Sequence, residues 1–480
     1  MPPLLAGACE LEITPPLDVP LGSGFNPPQV IGVADPLYTR ALVFAQGSER
    51  VALTCSDILA VDPQLARDVR ERVSTRTRIP ADHVMIAATH THSCGGRLQP
   101  SRGNGDPVLI EMLARQIASA VAVAEQRLAP ASLAVGAAPV HGVSQNRRDP
   151  DAPIDQMLRV LRVDGRDGLL AALTTFACHP TLVGHDRPVL SADFPGVLVR
   201  TIQAVCGGTV VVLPTNGACG DVNPIAAGAD GLEAARWVGQ ILGSTAAAVL
   251  ARLHPAGQTL RADNTRWGLS LLVEADTGVR IVRPMLGAAS AIIHVPYKQF
   301  ESAEVATSAA AEAARRLAEA GVDDVTLARW QEGRPVPAEE EARAPLPARE
   351  ARRRFASELL RRRSEVWAAR VAALQGIVGA SSRAIELQAI RLGAEAALLA
   401  VPFELFSRVG LDIHAENPFP HLFLIGYTND LGGYLMPDDE HARGGFEAGI
   451  TFYGPGAADA VRTGALALLR TLAAGAAGRG

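Results

Sequence analysis

Lysine is nearly absent from this sequence of 480 residues, because Lys298 is the only lysine among its 45 lysine and arginine residues. A phosphate-binding P-loop requires a Gly-Lys-Ser/Thr motif, and Lys298 lies instead in Pro-Tyr-Lys-Gln. An enzyme that forms a Schiff base with pyridoxal phosphate also needs a suitably placed lysine. The sequence therefore excludes a P-loop and disfavours a pyridoxal-phosphate enzyme.

The sequence also has no net positive charge, no paired cysteine motifs and no long apolar runs. The net charge is −5, so the electrostatic signature of a nucleic-acid-binding protein is missing. The six cysteines show no Cys-x-x-Cys spacing, which is typical of reduced thiols in the cytoplasm. No uncharged apolar stretch reaches the roughly 20 residues that cross a bilayer, and the N-terminus lacks the basic region of a secretory signal. We therefore expect a cytoplasmic protein with no nucleic-acid partner and no membrane span.

Apolar strands alternate with helices over the first 300 residues, which predicts an α/β fold. The strands are apolar almost throughout, so both faces of the sheet should be covered. Residues 300–376 are rich in Ala, Glu and Arg and predict a helical insertion, interrupted by a proline-rich stretch at 334–347. Predicted strands are 41–44, 51–55, 83–88, 157–163, 170–177, 209–213, 384–392 and 396–400, and predicted helices lie near 63–76, 107–126, 230–252 and 456–473 and after 403.

Histidines follow two of the predicted strands. Residues 84–88 lead into Thr-His-Thr-His, and side chains two apart on a strand point the same way, so His90 and His92 can serve one metal ion or one metal and a proton-transfer partner. A second apolar strand ends at His179, and a third runs into the polar, glycine-rich loop 216–224. Such strand ends predict a ligand site at the carboxyl edge of an open α/β sheet.

The residues alone leave several roles open. Asp193 precedes a predicted helix, where it can cap the helix or orient a metal-bound imidazole. Cys94 and Cys219 lie close to the motifs and are candidate nucleophiles, although neither has an evident base. A His-x-His pair also opens amidohydrolase-type (β/α)8 barrels, but these often bridge two metals through a lysine, and Lys298 lies away from the predicted strand ends.

A set of ordered segments resembles the neutral/alkaline, non-lysosomal ceramidases, which are zinc-dependent amidases. The resemblance spans residues 7–475 and implies the family's catalytic-domain fold, a mixed sheet core with flanking helices. It further implies one catalytic domain over 1–480 that contains the 300–376 insertion and lacks the family's C-terminal immunoglobulin-like domain. The matching segments are 35–44, 55–57, 89–93, 146–147, 176–179, 191–193, 216–224, 390–393, 401–404, 427–434 and 453–455.

The resemblance also implies a Zn2+ site. His90 and His179 correspond to the zinc-binding histidines, and Glu404 corresponds to the zinc-binding glutamate, although Phe403 replaces the glycine that usually precedes it. Tyr434 corresponds to a fourth ligand. Two neutral nitrogens, a carboxylate and a weak phenol ligand suit a catalytic zinc site with room for water.

The residues that face the substrate are partly changed. His92 corresponds to the histidine that reaches toward the substrate carbonyl, and Arg147 resembles the family's substrate-facing arginine. Asn223 replaces a serine assigned as catalytic, so it can hydrogen-bond substrate or water but cannot form an acyl-enzyme. Phe446 replaces a second active-site tyrosine. With these changes and without a secretion signal, ceramide is not the expected substrate.

The leading prediction is a zinc-dependent hydrolase that cleaves an amide or related acyl bond of a small cytoplasmic substrate by metal-activated water. His92 and Arg147 would stabilise the oxyanion, while Asn223 would position water or substrate. One alternative is a ceramidase or N-acyl lipid amidase proper. Another is a lyase or isomerase in which the metal polarises a carbonyl and His92 acts as base. A third is a metal-binding protein without catalysis.

Overall fold

Strands and helices alternate through much of the chain. The structure is a computed structural model, and it describes residues 2–22, 27–96, 98, 101, 105–184, 187–226, 231–253, 280–319 and 346–477. The strands are β1 (Leu4–Glu12), β2 (Gly32–Val33), β3 (Tyr38–Gln46), β4 (Glu49–Ser56), β5 (Val84–Ala88), β6 (Ala129–Pro130), β7 (Ser132–Pro139), β8 (Ser144–Asn146), β9 (Met157–Gly165), β10 (Gly168–Phe176), β11 (Val189–Leu190), β12 (Val211–Asn216), β13 (Val222–Pro224), β14 (Arg280–Val282), β15 (Pro284–Pro296), β16 (Ser382–Gly393), β17 (Ala396–Ala400), β18 (Glu404–Leu405), β19 (His421–Ile425) and β20 (Tyr434–Leu435). The helices are α1 (Pro63–Arg76), α2 (Pro107–Gln126), α3 (Asp193–Cys206), α4 (Gly231–Arg252), α5 (Ala303–Glu319), α6 (Leu346–Leu374), α7 (Ser407–Glu416), α8 (Asp438–Arg443), α9 (Phe446–Ile450) and α10 (Ala457–Ala477), with a 3-10 turn at Ala81–His83.

Three larger sheets organise most of these strands. Their orders are β5-β4-β3-β1-β6, β12-β10-β9-β7-β14 and β15-β16-β17-β19. Each sheet mixes pair types, because β4–β5, β10–β12 and β17–β19 are parallel while their other pairs are antiparallel. The predicted fold class, a mixed sheet core with flanking helices, is confirmed.

Alternate residues of each central strand face two different cores. In β3, Ala41 and Val43 pack toward α1 and α2, whereas Leu42 and Phe44 face a core that all three sheets share. The period of two in a strand produces this division, since successive side chains point to opposite faces. Each sheet therefore packs on helices with one face and on the other sheets with the other. The shared core also contains Leu161, Leu173, Leu213, Ile390, Leu398 and Phe423.

Two helices begin where the sequence predicts because their first turns are capped. The side chain of Asp62 accepts a hydrogen bond from the N–H of Gln64 at 2.9 Å, just before α1. Asp106 accepts from the N–H of Val108 at 2.9 Å, just before α2. A proline follows each aspartate at the first helical position, where its missing N–H costs nothing.

Within the described part of the chain, α2 is long and apolar enough to cross a membrane by length and composition alone. Half of that stretch is buried in the fold. Its residues Leu113, Ile117 and Val121 share a core with Val43 and Val84 of the first sheet. This packing is that of a core helix.

The segment 300–376 contains α5 and α6, which pack against each other. Both helices agree with the helical character that the sequence predicts. Residues 320–345, with most of the proline-rich stretch at 334–347, lie outside the described residues. That the segment is an insertion in a single domain over 1–480 stays a prediction.

The (β/α)8 barrel that the His-x-His pair left open is wrong. In the described residues the sheets are open, and β5 and β6 form the edges of the first one. The amine of Lys298 donates to the main-chain oxygens of Ala448, at 3.2 Å, and Gly449, at 2.6 Å, in α9. The amine of the only lysine is thus bound by backbone carbonyls of α9.

Candidate metal centre

The predicted ligand residues meet where strand ends of all three sheets come together. His90 follows β5 of the first sheet, His179 follows β10 of the second, and Glu404 follows β17 of the third. The expectation of a single sheet's carboxyl edge is therefore wrong. Three sheets that share one core bring their ends to one place, and residues distant in sequence become neighbours.

The His-x-His pair lies beyond its strand. β5 ends at Ala88, and His90 adopts a left-handed backbone conformation with φ +69°. The sequence predicts that strand alternation points His90 and His92 the same way, and this prediction is wrong. The turn at His90 brings the two rings together instead, with 3.3 Å between the Nε2 atoms of His90 and His92.

Backbone carbonyls fix the tautomers of His90 and His179. The Nδ1 atom of His90 lies 2.6 Å from the oxygen of Leu59, and Nδ1 of His179 lies 2.6 Å from the oxygen of Cys219. A carbonyl oxygen only accepts, so each Nδ1 must donate its proton. In its neutral form, each imidazole then presents the lone pair of Nε2, the arrangement of a metal-binding histidine.

Both lone pairs face one carboxylate. The Oε2 atom of Glu404 lies 3.2 Å from Nε2 of His179 and 3.4 Å from Nε2 of His90. Burial alone would raise the pKa of Glu404, but the two histidines outweigh it and lower that pKa well below its usual range. Burial lowers the pKa of His179 to about 4, and Arg147 adds to the effect. At neutral pH the carboxylate of Glu404 thus faces the neutral imidazole of His179.

His92 lies inside this cluster. Ligand atoms of His90, His92 and His179 lie within 4.8 Å of one another. Burial, together with the neighbouring His90 and His179, lowers the pKa of His92 well below its usual value, so its ring is neutral. The sequence predicts a carbonyl-facing role for His92; the geometry also brings it within reach of a shared ion, and the carbonyl-facing role stays a prediction.

Tyr434 and Arg147 lie beside the histidines and Glu404. Glu404 and Tyr434 are paired residues of β18 and β20, and the Tyr434 ring stacks near His179 with 6.4 Å between centroids. The Tyr434 hydroxyl accepts a hydrogen bond from Arg147 at 3.0 Å. Burial raises the pKa of Tyr434 well above its usual value despite Arg147. Arg147 also donates to the Asn223 side-chain oxygen at 3.3 Å, so the predicted residues do converge.

Glu447 is a member of this group that the sequence did not reveal. Its carboxylate accepts from Arg147 at 2.8 Å and from Arg148 at 2.7 Å, and it is almost fully buried. The preceding residue, Phe446, contacts the Tyr434 ring edge-on with 5.9 Å between centroids. The replacement of a family tyrosine at Phe446 was the sequence signal that pointed to this segment.

The two candidate cysteine nucleophiles are buried. Burial raises the pKa of Cys94 to about 12 and also raises that of Cys219. A thiolate, the reactive form, is therefore disfavoured at both. Cys219 instead supplies the carbonyl that orients His179, and its sulfur lies 3.0 Å from the hydroxyl of Tyr427, whose ring stacks on His90 at 3.9 Å.

Of the two roles that the sequence left open for Asp193, its contacts fit the one at the start of the helix and not the orientation of an imidazole. It is the first residue of α3, and its carboxylate accepts from the N–H groups of Val183, at 2.9 Å, and Phe194, at 2.5 Å. These bonds fix the segment that follows His179. Backbone carbonyls, not Asp193, orient the two imidazoles.

Known proteins share this fold and part of this sequence. Residues 6–233 match the family model for neutral/alkaline non-lysosomal ceramidase, N-terminal. The neutral ceramidase of Pseudomonas aeruginosa is similar in structure, with a TM-score of 0.68 and 18% identity over 99% of this chain and 75% of that chain. A ceramidase solved in complex with C2 has a TM-score of 0.68 and 16% identity over 98% of this chain and 75% of that chain.

The fold and the strand-end site thus define a mixed α/β protein of the ceramidase type. Residues 6–233 resemble the neutral/alkaline non-lysosomal ceramidases, so the resemblance expected from the motifs is confirmed, and the solved ceramidases share the fold. The match over these residues indicates a hydrolase of the ceramidase type.

Proposed function

We propose that this protein is a zinc-dependent hydrolase that cleaves an amide or related acyl bond of a small substrate by metal-activated water. One observation carries the proposal. The lone pairs of two imidazoles, with tautomers fixed by carbonyls, face the same oxygen of Glu404 at 3.2 and 3.4 Å. Such acceptors repel one another unless a proton or a cation lies between them, and burial lowers the pKa of His179 to about 4, which disfavours a proton on that ring.

The donor set fits zinc better than a hard cation. His90 and His179 offer the Nε2 atoms of their imidazoles, Glu404 offers a carboxylate, and His92 or Tyr434 is available as a further ligand. Magnesium and calcium prefer oxygen ligands, whereas zinc in catalytic sites binds three histidines, or two histidines with a carboxylate. When bound, zinc supplies the Lewis acidity that makes water a nucleophile near neutral pH.

Arg147 and its neighbours would act on the substrate. The guanidinium is held by Glu447, Asn223 and Tyr434, so it presents a fixed positive charge beside the histidines. A fixed charge stabilises the negative oxygen that develops on a carbonyl under attack, and His92 would assist it. The amide of Asn223 would orient substrate or water, and no protein nucleophile would be required.

The second candidate function is hydrolysis of ceramide or another N-acyl lipid. The observation that favours it is the similarity to the neutral ceramidase of Pseudomonas aeruginosa. We favour a small substrate because Asn223 and Phe446 replace the serine and the tyrosine of the family pattern. The cytoplasmic location and the absence of a nucleic-acid partner remain predictions from the sequence.

A labelling experiment tests this proposal. The purified protein is assayed with short N-acyl amides and with ceramide in H2-18O, before and after chelation. We expect one 18O atom in the carboxylate product, loss of turnover on chelation and its return with one equivalent of zinc. Turnover of the short amides and not of ceramide selects the first candidate.

Other results contradict the proposal. Turnover that persists after the metal has been removed excludes metal-dependent hydrolysis. A product without label, formed with the same metal dependence, selects the lyase or isomerase alternative. A metal-loaded protein that turns over neither substrate class supports metal binding without catalysis.

A further inference from the structure

The peptide group before His90 is hydrogen-bonded at both ends. Its N–H, which belongs to His90, donates to the oxygen of Ile58 at 3.0 Å. Its oxygen, which belongs to Thr89, accepts from the side-chain amide of Asn216 at 3.3 Å. The orientation of this peptide plane sets the φ of His90, and therefore the direction in which the imidazole leaves the chain.

The peptide group before His179 is held in the same manner. The N–H of His179 donates to the oxygen of Val222 at 3.0 Å. The oxygen of Cys178 accepts from the amide of Asn216 at 3.0 Å. One side chain thus bonds to the carbonyl immediately before each of the two histidines, although these lie on different sheets.

All polar atoms of the Asn216 side chain are used in these contacts. Its amino group has two N–H donors and two carbonyl partners, on Thr89 and Cys178, while its oxygen accepts from the N–H of Cys178 at 3.3 Å. The carbonyls of Thr89 and Cys178 require donors and the N–H of Cys178 requires an acceptor, so only one orientation of the Asn216 amide satisfies all three. Asn216 is buried at the end of β12.

The main chain of Asn216 adds a third link. Its oxygen accepts from the N–H of Gly426 at 2.9 Å. The next residue, Tyr427, stacks its ring on His90 at 3.9 Å. His90 has φ +69°, and a residue other than glycine keeps such a conformation only where its surroundings hold it. The contacts of Asn216 supply part of that restraint.

We propose that Asn216 is a positioning residue that sets the separation and direction of the His90 and His179 imidazoles, so that both Nε2 atoms meet one metal ion. The inference rests on the proposed function, because it concerns the metal of that site. Asn216 contacts the peptide groups that carry the ligands and acts through them.

The test compares metal affinity in three variants. Asn216→Asp keeps the shape but places an oxygen against two carbonyls, and Asn216→Ala removes the links without adding charge. Thr215→Val is the matched control, because the buried Thr215 hydroxyl bonds to Thr174 and Thr175 of the neighbouring strand. Zinc dissociation constants are measured by competition with a chelating dye, and the absorption spectrum of the Co2+-loaded protein reports ligand geometry.

We expect the zinc dissociation constant to rise about 10- to 100-fold in Asn216→Asp and about tenfold in Asn216→Ala, as for other groups that orient metal ligands. The Co2+ spectrum should change in both. Thr215→Val should stay within about twofold of the wild type, with an unchanged spectrum, even if its melting temperature falls.

Two results overturn the inference. Folded Asn216 variants that bind zinc as the wild type does show that the amide does not position the histidines. If both Asn216 variants fail to fold while Thr215→Val folds, Asn216 is assigned to the stability of the sheets. A wild-type protein that binds no metal would contradict the proposed function itself. The titration of the wild type detects this outcome separately from the effect of the Asn216 variants.

Discussion

Replacing His90 with alanine is expected to remove the bound metal and to lower kcat/KM by about a thousandfold or more, which corresponds to about 4 kcal/mol of transition-state stabilisation. The variant loses one of the two imidazoles whose tautomers are fixed by backbone carbonyls. His179 and Glu404 alone leave an incomplete ligand set. Metal content by mass spectrometry and steady-state kinetics on the best substrate measure the two effects.

His141→Ala is the matched control for this variant. His141 is exposed and lies 2.7 Å from the side-chain oxygen of Gln156, so its loss should leave metal content unchanged and activity within about twofold. A His90→Ala protein that retained stoichiometric metal and full turnover would show that the histidine cluster is not the catalytic centre.

Replacing Arg147 with lysine is expected to lower kcat/KM about 100-fold while metal content stays at one per chain. Arg147 donates to Glu447, Asn223 and Tyr434 at once, and the single ammonium of lysine cannot reproduce this planar set. Loss of one preoriented donor to a developing oxyanion typically costs about 100- to 1000-fold in kcat. Kinetics and metal analysis on the same preparation check both parts.

The substitution should be tolerated by the fold. Glu447 keeps its ion pair with Arg148 at 2.7 Å, so its buried carboxylate is not left without a cation. Arg115→Lys is the control, since Arg115 is exposed and pairs with Glu111 on the surface of α2. Unchanged kinetics in Arg147→Lys would remove this residue from the substrate-facing group.

Much of the local structure could be predicted from the sequence. The predicted strand 83–88 agrees with β5, and the predicted helices at 63–76 and 107–126 agree with α1 and α2, because apolar runs and Asp-Pro caps are local signals. β1 and β7 were missed. Both are rich in small residues: a side chain on Gly7 would collide with the oxygen of Ala124, and one on Gly136 would press on Leu253. Close packing with helices, not strand propensity, forms these strands.

The candidate site could be predicted only in part. The motifs supplied His90, His179, Glu404 and Tyr434, and these residues do come together. The meeting of three sheets could not be predicted, because local patterns do not specify how separate sheets pack. The same limit hid Glu447, whose partners lie about 300 positions earlier in the chain.

The measurement that tests the central claim most directly is anomalous diffraction from crystals of the active, zinc-loaded protein, recorded on both sides of the zinc absorption edge. The account predicts one strong anomalous peak enclosed by the Nε2 atoms of His90 and His179 and the carboxylate of Glu404. A peak elsewhere, or none at these three residues in crystals of active protein, would contradict it.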